Sequence, residues 1–376
     1  MKKILINIFK EIKTLVTIFV WSIFGFLAVA MAYIRLPKFG GIPKGKRLER
    51  IEKSPNYENG KFKNLAVTTV VTGKSSFFKT SRDRIQNSNP NKIPKEPLPT
   101  IKTDLMSLPK DEDVLIWFGH SSLFVQLDGK RILFDPVFSK SVSPVPFGIK
   151  RFKGTGIYKP EELPDIDYLF ISHDHWDHLD YKTMISLRDR VGAVICGLGV
   201  GEHLERWGFS AEKIIELDWW EEHSFGDITV YGLPARHFSG RTFNRNKSLW
   251  MSFLIKTKTL KLYHSGDGGY GGHFKEIGDR FGSVDFAFLD SGQYNISWRN
   301  IHMNPEESLR AARDLNAKNF LPIHFAKFCI SNHDWNEPLK VISEISRDTP
   351  PRILTPKIGE VVFLNDNEQT FSKWWE

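Results

Sequence analysis

The sequence contains few cysteines: only Cys196 and Cys329 among 376 residues. Two cysteines so far apart cannot build the disulfide framework that stabilises small secreted domains. We interpret both as buried thiols, because free cysteine packs as a small apolar residue. The chain must therefore fold around an apolar core, and its apolar fraction of 41% allows a large one.

Most of the chain also lacks an excess of charge of either sign. The formal net charge is +8, but residues 1–53 hold eleven Lys and Arg against three Glu and carry the whole excess. From residue 54 onward, 41 basic residues face 41 acidic ones. Proteins that bind the phosphate backbone derive much of their affinity from Lys and Arg, so we expect no nucleic-acid partner.

The longest run without charge lies near the N-terminus. Residues 15–34 are twenty uncharged, mostly apolar residues, enough for a helix to cross about 30 Å of hydrocarbon. A cleaved signal peptide is the alternative, although its apolar core normally spans only ~7–15 residues. A buried core helix is disfavoured because the run has no polar face. We predict a membrane anchor or signal segment over residues 1–34 and leave the side of the membrane open.

Prolines and glycines among many charges follow this run. Their mixture over residues 35–62 predicts a basic linker, whose positive charges could contact anionic lipid head groups. A second loop is predicted at about residues 79–99, which are rich in Asn, Pro and Lys. We assign residues 63–376 to one folded domain.

Short β-branched and aromatic runs alternate with turn signals through this domain. Strands are predicted at residues 114–118, 123–127, 131–134, 168–171, 228–231, 252–255, 261–263, 286–289 and 320–322. Helices are predicted at residues 180–190, 200–207 and 305–317. The last should begin with Asn304 as N-cap, Pro305 in the first turn and Glu307 completing a capping box. Strands interleaved with covering helices indicate an α/β domain with two sheets packed face to face and helices outside.

A cluster of metal-binding residue types follows the strand predicted at residues 168–171. His173, His175, Asp177 and His178 fall within six positions. Histidine is the commonest metal ligand and carboxylate is a hard complement, so four such donors suit two adjacent divalent ions. A hydrogen-bonded polar turn is the alternative, but it would explain a lone histidine better than three clustered ones.

Three further ligand candidates also follow predicted strands. His237 comes after residues 228–231, Asp267 lies in a glycine-rich turn after residues 261–263, and His324 comes after residues 320–322. Each of them alone could be an ordinary polar residue of a loop. Their shared position at strand ends groups them with the histidine cluster.

The order HxHxDH, then His, then Asp in a glycine-rich turn, then His resembles that of the metallo-β-lactamase superfamily. Wider stretches resemble its branch containing N-acylphosphatidylethanolamine-hydrolysing phospholipase D. These stretches are WFGHS at 117–121, DPVF at 135–138, HDHWDHLD at 173–180, GDGGY at 266–270 and HMNPEE at 302–307. The resemblance spans roughly residues 65–335 and implies a four-layer αββα sandwich, here preceded by the N-terminal apolar helix.

The resemblance also implies a ligand set for two zinc ions. One ion would be bound by His173, His175 and His237, the other by Asp177, His178 and His324, with Asp267 bridging them. Other divalent metals could occupy these N and O ligands, because the affinity order alone does not select the metal. Asp174, inside the motif but outside the ligand set, is expected to orient a histidine or the attacking water. His302 resembles a family position near the substrate phosphate with a role in proton transfer; the alternative is a plain histidine before a helix cap.

Two closely spaced ions activate water at neutral pH and polarise a phosphoryl oxygen, so no Ser or Cys nucleophile is needed. The leading hypothesis is hydrolysis of a membrane phospholipid, favoured by the branch resemblance and by the predicted anchor at residues 15–34. The aromatic and basic residues 144–153 could form an interfacial lip or a plain surface loop. One alternative is a lactonase or phosphodiesterase acting on a small soluble metabolite. Another is a membrane-tethered binding protein that retains metals without turnover.

Overall fold

The computed structural model describes residues 2–72, 88–145, 147–346 and 349–376. It divides into two compact units, Met1–Gly40 and Gly41–Glu376. Much of the loop predicted at residues 79–99, and Pro146 within the aromatic and basic segment 144–153, lie outside the described residues.

The first unit is dominated by one long helix, α1 (Lys2–Ile34). A short 3-10 turn at Pro37–Phe39 follows it. The helix carries exposed Ile, Leu, Val and Phe side chains along its whole length. By length and composition α1 could span a membrane, although a signal sequence near the N-terminus meets the same criterion.

The second unit contains the strands. In chain order they are β1 (Tyr57–Glu58), β2 (Lys61–Phe62), β3 (Val114–Trp117), β4 (Leu123–Leu127), β5 (Lys130–Phe134), β6 (Ile166–Ile171), β7 (Val191–Gly197), β8 (Ile214–Leu217), β9 (Glu222–Phe225), β10 (Ile228–Leu233), β11 (Ser252–Lys256), β12 (Lys261–His264), β13 (Val284–Asp290), β14 (Ala317–Ile323), β15 (Arg352–Ile353) and β16 (Val361–Phe363). Strands β1 and β2 pair with each other, and the others form two seven-stranded sheets.

The two sheets have matching topologies. The first has the order β16-β3-β4-β5-β6-β7-β8 and the second the order β15-β14-β13-β12-β11-β10-β9. In the first sheet the pairs from β16 to β5 are antiparallel and those from β5 to β8 are parallel. In the second, the pairs from β9 to β12 are antiparallel and those from β12 to β15 are parallel. The carboxyl ends of the parallel strands in each sheet therefore meet at one edge of that sheet.

A tight hairpin turn joins β4 to β5. Leu127 pairs with Lys130 across the two-residue turn Asp128-Gly129. Both turn residues have positive φ, 51° and 71°, as a type I′ turn requires. Every residue of β4 is buried, because this strand lies inside its sheet and is covered on both faces.

Six helices belong to the second unit in the described part of the chain. They are α2 (Gly45–Glu52), α3 (Tyr181–Leu187), α4 (Gly201–Arg206), α5 (His273–Phe281), α6 (Pro305–Asp314) and α7 (Glu337–Ile345). The predicted start of α6 is confirmed, since Asn304 and Glu307 form a reciprocal capping box. Its predicted end at residue 317 is wrong. Asn316 has a left-handed φ of 50°, which ends the helix, and Ala317 begins β14.

Apolar side chains fill three layers of core. Between the sheets, the largest members include Trp117, Phe134, Phe170, Phe253 and Phe288. Outside the first sheet, Leu169 packs in a cluster with Met184 and Leu204. Outside the second, Leu254 packs in a cluster with Phe274 and Leu309. Helix, sheet, sheet and helix thus form the four layers that we predicted.

The segment predicted as a linker contains folded structure from Gly41 onward. Residues 41–62 belong to the second unit and include α2, β1 and β2. Arg47 forms ion pairs with three glutamates, Glu202 at 3.0 Å, Glu205 at 2.8 Å and Glu216 at 2.7 Å. Ile51 and Phe62 are fully buried. Arg47, one of the basic residues that suggested a linker, is therefore part of an ion-pair network within the folded unit.

Candidate metal centre

The predicted ligands lie in loops that follow the strands of both sheets. The first sheet contributes the loop after β6, which begins at Ser172 and carries the histidine cluster from His173 to His178. The second contributes His237 after β10, Asp267 after β12 and His324 after β14. Residues far apart in the sequence are thereby brought together where the two sheets adjoin.

One group of donors consists of His173, His175, His237 and Asp267, whose ligand atoms all lie within 4.8 Å of one another. The Nε2 atoms of His173 and His237 lie 2.8 and 3.2 Å from Nδ1 of His175. Oδ2 of Asp267 is 3.9 Å from Nε2 of His173 and 3.8 Å from Nε2 of His237. Nitrogen and carboxylate donors at these spacings can surround a single cation.

A second group consists of His120, Asp177, His178 and His324. Oδ2 of Asp177 lies 2.9 Å from Nε2 of His120, 3.4 Å from Nε2 of His324 and 3.7 Å from Nε2 of His178. We did not predict His120 as a site residue. Its position in the turn between β3 and β4 is a strand-end placement like those that identified the other candidates, so this signal could have found it.

Asp267 lies between the two groups. Its Oδ1 is 3.1 Å from Nε2 of His178, and its Oδ2 is 3.2 Å from Nε2 of His324. The turn that carries it needs glycine at position 266, where φ is 58° and a Cβ atom would come within 2.8 Å of the carbonyl oxygen of Met251. Close packing of this turn against Met251, the residue before β11, therefore holds Asp267 where its carboxylate faces both groups.

Hydrogen bonds fix the orientation of three of the histidine rings. The pairs are His178 Nδ1 with Asp135 Oδ2 at 2.8 Å, His324 Nδ1 with Asp290 Oδ1 at 3.2 Å, and His237 Nδ1 with the carbonyl oxygen of Ile301 at 3.0 Å. Ionised carboxylates and carbonyl oxygens only accept hydrogen bonds, so each Nδ1 donates. In the neutral ring, the remaining lone pair lies on Nε2, the atom that faces the cluster.

In this arrangement, hydrogen-bond acceptors of the histidines and aspartates face one another. Bound cations between them would satisfy these acceptors. In the described residues, neither Nε2 of His178 nor Oδ1 of Asp267 has a hydrogen-bond partner, although both atoms are buried. Buried polar atoms without partners are costly, and in the neutral form of His178 the lone pair on Nε2 would face a carboxylate oxygen at 3.1 Å and be repelled by it. The formal charge of four carboxylates would be balanced by two divalent cations. These carboxylates are Asp135, Asp177, Asp267 and Asp290.

The pKa shifts reflect the same negative potential. Burial opposes a positive charge on His324, but the carboxylates of Asp267 and Asp290 outweigh it and raise its pKa to about 10. Burial likewise opposes charge on His178, whose pKa is nevertheless held well above its usual range by the facing carboxylates, Asp267 foremost. Burial lowers the pKa of His175 to about 4 and that of His120 to about 3. The cluster thus attracts cations while these two rings stay neutral.

Asp174 makes its hydrogen bonds outside both donor groups. Its carboxylate accepts from Nε2 of His203 at 3.1 Å, from the hydroxyl of Ser248 at 2.9 Å and from the backbone N–H of Gly240 at 2.6 Å. Burial opposes ionisation of this carboxyl, but the hydrogen bond from His203 helps to hold its pKa below the ordinary value. Its contacts fasten the loop between His173 and His175 to two other segments, and the orienting role that we expect for it stays a prediction.

His302 lies beside the cluster. Its ring centroid is 5.1 Å from that of His237 and 4.9 Å from that of His324. Its Nδ1 lies 2.8 Å from Oδ2 of Asp290. It also lies two residues before Asn304, the N-cap of α6. Its position therefore fits both a histidine near the substrate and a plain histidine before a helix cap.

One supporting residue carried no signal in the sequence. The side-chain amide of Asn64 donates to the carbonyl oxygen of His237 at 2.8 Å, and its Oδ1 accepts from the backbone N–H of His237 at 3.0 Å. The same oxygen also accepts from the indole N–H of Trp250 at 3.1 Å. Asn64 therefore holds the backbone of a predicted ligand at both polar groups, a role that only the tertiary fold creates.

Comparisons with known proteins agree on one family. Residues 130–325 match the model described as "Beta-lactamase superfamily domain". An uncharacterised protein of Mycobacterium tuberculosis is 34% identical over 329 residues, 86% of this chain and 88% of that protein. N-acyl-phosphatidylethanolamine-hydrolyzing phospholipase D 1 of Caenorhabditis elegans is 30% identical over 270 residues, 66% of this chain and 75% of that protein. The structure of Igni18, a metallo hydrolase from Ignicoccus hospitalis, covers 66% of this chain and 97% of its own, with a TM-score of 0.51 and 21% identity.

Proposed function

This chain belongs to the β-lactamase superfamily and is a metal-dependent hydrolase, and we propose that it hydrolyses a phosphodiester bond of a membrane phospholipid. The observation that carries the proposal is the pair of adjacent His and Asp donor groups, with Asp267 facing both. Two cations in such a site are the usual device for cleaving phosphate esters without a protein nucleophile.

We propose that the two groups bind zinc, because imidazole nitrogen dominates both donor sets. Two divalent ions, when bound, lower the pKa of water and stabilise the charge that develops on a phosphoryl oxygen. The chain's own residues supply the rest. Asp135 and Asp290 orient His178 and His324. His302, whose ring lies beside those of His237 and His324, would pass a proton to the leaving oxygen.

The choice of a phospholipid rests on two independent features. The similarity to the phospholipase D of Caenorhabditis elegans covers two-thirds of this chain, at 66%, and favours a substrate of that class. Helix α1 is long and apolar enough to span a membrane, and we propose that it anchors the protein there. The second compact unit begins at Gly41, seven residues after the last residue of α1, so an anchored protein would keep its hydrolase unit close to lipid.

Incubation of the purified full chain with total membrane lipid, followed by mass spectrometry, tests the proposal. Release of phosphatidic acid and free head group from one lipid class is the expected result. The matched control is Asp267→Asn, which keeps the side-chain shape and removes the charge between the donor groups. Release of fatty acid without phosphatidic acid would identify an esterase instead, and unchanged lipid would reject a lipid substrate.

A further inference from the structure

Asp290 touches two histidines that are predicted to have different tasks. It is the last residue of β13 and is fully buried. Its Oδ2 lies 2.8 Å from Nδ1 of His302, and its Oδ1 lies 3.2 Å from Nδ1 of His324. The backbone N–H groups of Gly268 and Gly292 donate to the same two oxygens at 3.1 and 3.3 Å. Four donors thus hold this carboxylate in one orientation.

The contacts determine which nitrogen of each ring carries the proton. An ionised carboxylate can only accept, so Nδ1 is the donor in both His302 and His324. Nε2 is then the atom left to act in each ring. In His324 it points to Asp267 and Asp177 within the donor groups, at 3.2 and 3.4 Å. In His302 it belongs to a ring that packs beside the predicted ligands His237 and His324 and is 7% exposed, and it is the nitrogen left for proton transfer.

A second carboxylate provides the natural comparison. Asp135 follows β5 in the first sheet and accepts from Nδ1 of His178 at 2.8 Å. Among the described residues, its other side-chain hydrogen bonds come from the backbone N–H and the hydroxyl of Ser172. Asp135 therefore orients one predicted ligand, whereas Asp290 orients one predicted ligand and His302.

We propose that Asp290 is a positioning residue that fixes both the metal ligand His324 and the proton donor His302. The proton-transfer half rests on the proposed phosphodiester hydrolysis; the metal half does not. In the step, water oxygen bonds to phosphorus and the bond from phosphorus to the leaving oxygen breaks. The leaving oxygen takes a proton from Nε2 of the doubly protonated His302 ring, and the neutral ring that remains keeps its Nδ1–H hydrogen-bonded to Asp290. The proton lost by water passes to solvent, from which His302 is reprotonated.

Three variants separate the two halves. Asp135→Asn removes the charged acceptor of a ligand only and should weaken metal binding roughly 10–100-fold, the usual effect of losing such a contact. His302→Gln should retain metal and slow reactions with poor leaving groups most. Asp290→Asn should show both effects. In the double variant with His302→Gln, Asp290→Asn should add nothing to the dependence on the leaving group, because both act through one ring.

Metal affinity is measured by competition with a chromophoric chelator. Rates are measured at saturating zinc with aryl phosphodiesters from bis(p-nitrophenyl) phosphate to diphenyl phosphate. We expect Asp290→Asn to lose more of its rate with diphenyl phosphate, the substrate with the poorer leaving group, than with bis(p-nitrophenyl) phosphate. Asp135→Asn should lose the same fraction of its rate with both substrates. Asp290→Glu, which keeps the charge and displaces it, gives the same comparison should the Asn variant fail to fold.

Wild-type metal affinity in the Asp290 variants would overturn the proposal whatever the substrate proves to be. A wild-type dependence on the leaving group in metal-loaded Asp290→Asn would overturn it as well, since His302 would then act without this carboxylate. A wild-type enzyme that cleaves no phosphodiester at all would instead reject the proposed function. In that case the metal affinity of the Asp290 variants would still show whether Asp290 holds His324. The proposal that Asp290 positions His302 for proton transfer would be rejected together with the proposed function.

Discussion

The backbone N–H of His324 donates to the carbonyl oxygen of His120 at 3.0 Å. This bond ties the loop after β14 in the second sheet to the turn between β3 and β4 in the first. Both histidines have left-handed φ angles, 69° and 56°, a conformation that costs a non-glycine residue roughly 1–3 kcal/mol. Both strained residues contribute their rings to the second donor group. We therefore infer that the strained backbone conformation serves to orient these two rings.

The first prediction concerns His120. His120→Ala removes a buried ring 2.9 Å from Oδ2 of Asp177 and should lower the metal content from nearly two ions per chain towards one. Elemental analysis after dialysis against a weak chelator measures this. His223→Ala, in edge strand β9, is the control and should keep both ions. Retention of two ions by His120→Ala would remove His120 from the second donor group.

The second prediction compares two aspartates in polar loops. Asp267→Asn removes the charge that faces both donor groups and should cost metal at one or both sites together with nearly all turnover. Asp174→Asn loses the carboxylate that accepts a hydrogen bond from His203 and should retain metal while the free energy of unfolding falls by roughly 1–3 kcal/mol. Metal content, turnover and urea midpoint of both variants test the contrast. The reverse pattern would make our ligand assignment wrong.

Strand and helix signals predict the central sandwich but not its whole extent. Strand β7 escaped prediction because its glycines weaken the pattern: Val191–Gly197 contains Gly192 and Gly197. A Cβ at Gly197 would come within 2.1 Å of the carbonyl oxygen of Leu249. The glycine is therefore dictated by a neighbouring segment that single-sequence reasoning cannot place.

The third prediction concerns the N-terminal residues. Deleting residues 1–40 removes the first compact unit and should leave a soluble, folded, metal-binding protein. Deleting residues 1–62 also removes Arg47 with its ion pairs and the buried Ile51 and Phe62. The longer deletion should lower stability by several kcal/mol, since each buried side chain contributes ~1.5–3 kcal/mol. Thermal unfolding of both proteins provides the test, and equal melting temperatures would show that residues 41–62 are dispensable.

The fourth prediction concerns pH and Lys327. Burial lowers the pKa of this side chain to about 7, and its Nζ donates to the carbonyl oxygens of Phe118 and Val137 at 2.9 and 2.8 Å. The unfolded chain, with a lysine pKa near ~10.4, binds one more proton between about pH 7 and 10. Between these pH values, the contribution of Lys327 to the free energy of unfolding therefore rises by ~1.4 kcal/mol per pH unit. Below about pH 7 both states bind the proton, and the full cost of burying the charged lysine destabilises the folded state.

Lys327→Met removes this titration. The free energy of unfolding of the metal-loaded proteins is measured in urea at pH 7, 8 and 9. The value for wild type minus the value for Lys327→Met should increase as the pH rises. Parallel dependences on pH would mean that Lys327 stays protonated in the folded state. Lys318→Met, at an exposed pair with Asp285, controls for the loss of a lysine charge.

The site was predictable to the extent that its residues recur as a pattern. The histidine cluster after β6 and the strand-end positions of His237, Asp267 and His324 predicted that these residues lie close together, as they do, while their role as metal ligands stays a prediction. Asn64 and Asp290 were missed because their roles depend on tertiary contacts. A single asparagine or a strand-terminal aspartate has no local feature that distinguishes it from an ordinary polar residue.

Hydrolysis in water enriched in oxygen-18 tests the central claim most directly. If an activated water attacks phosphorus, wild-type protein acting on phospholipid vesicles should release phosphatidic acid that carries one heavy oxygen in its phosphate group. Asp267→Asn should release none. Label in a free fatty acid, with unlabelled phosphate, would show attack on an acyl carbonyl and would contradict a phosphodiesterase.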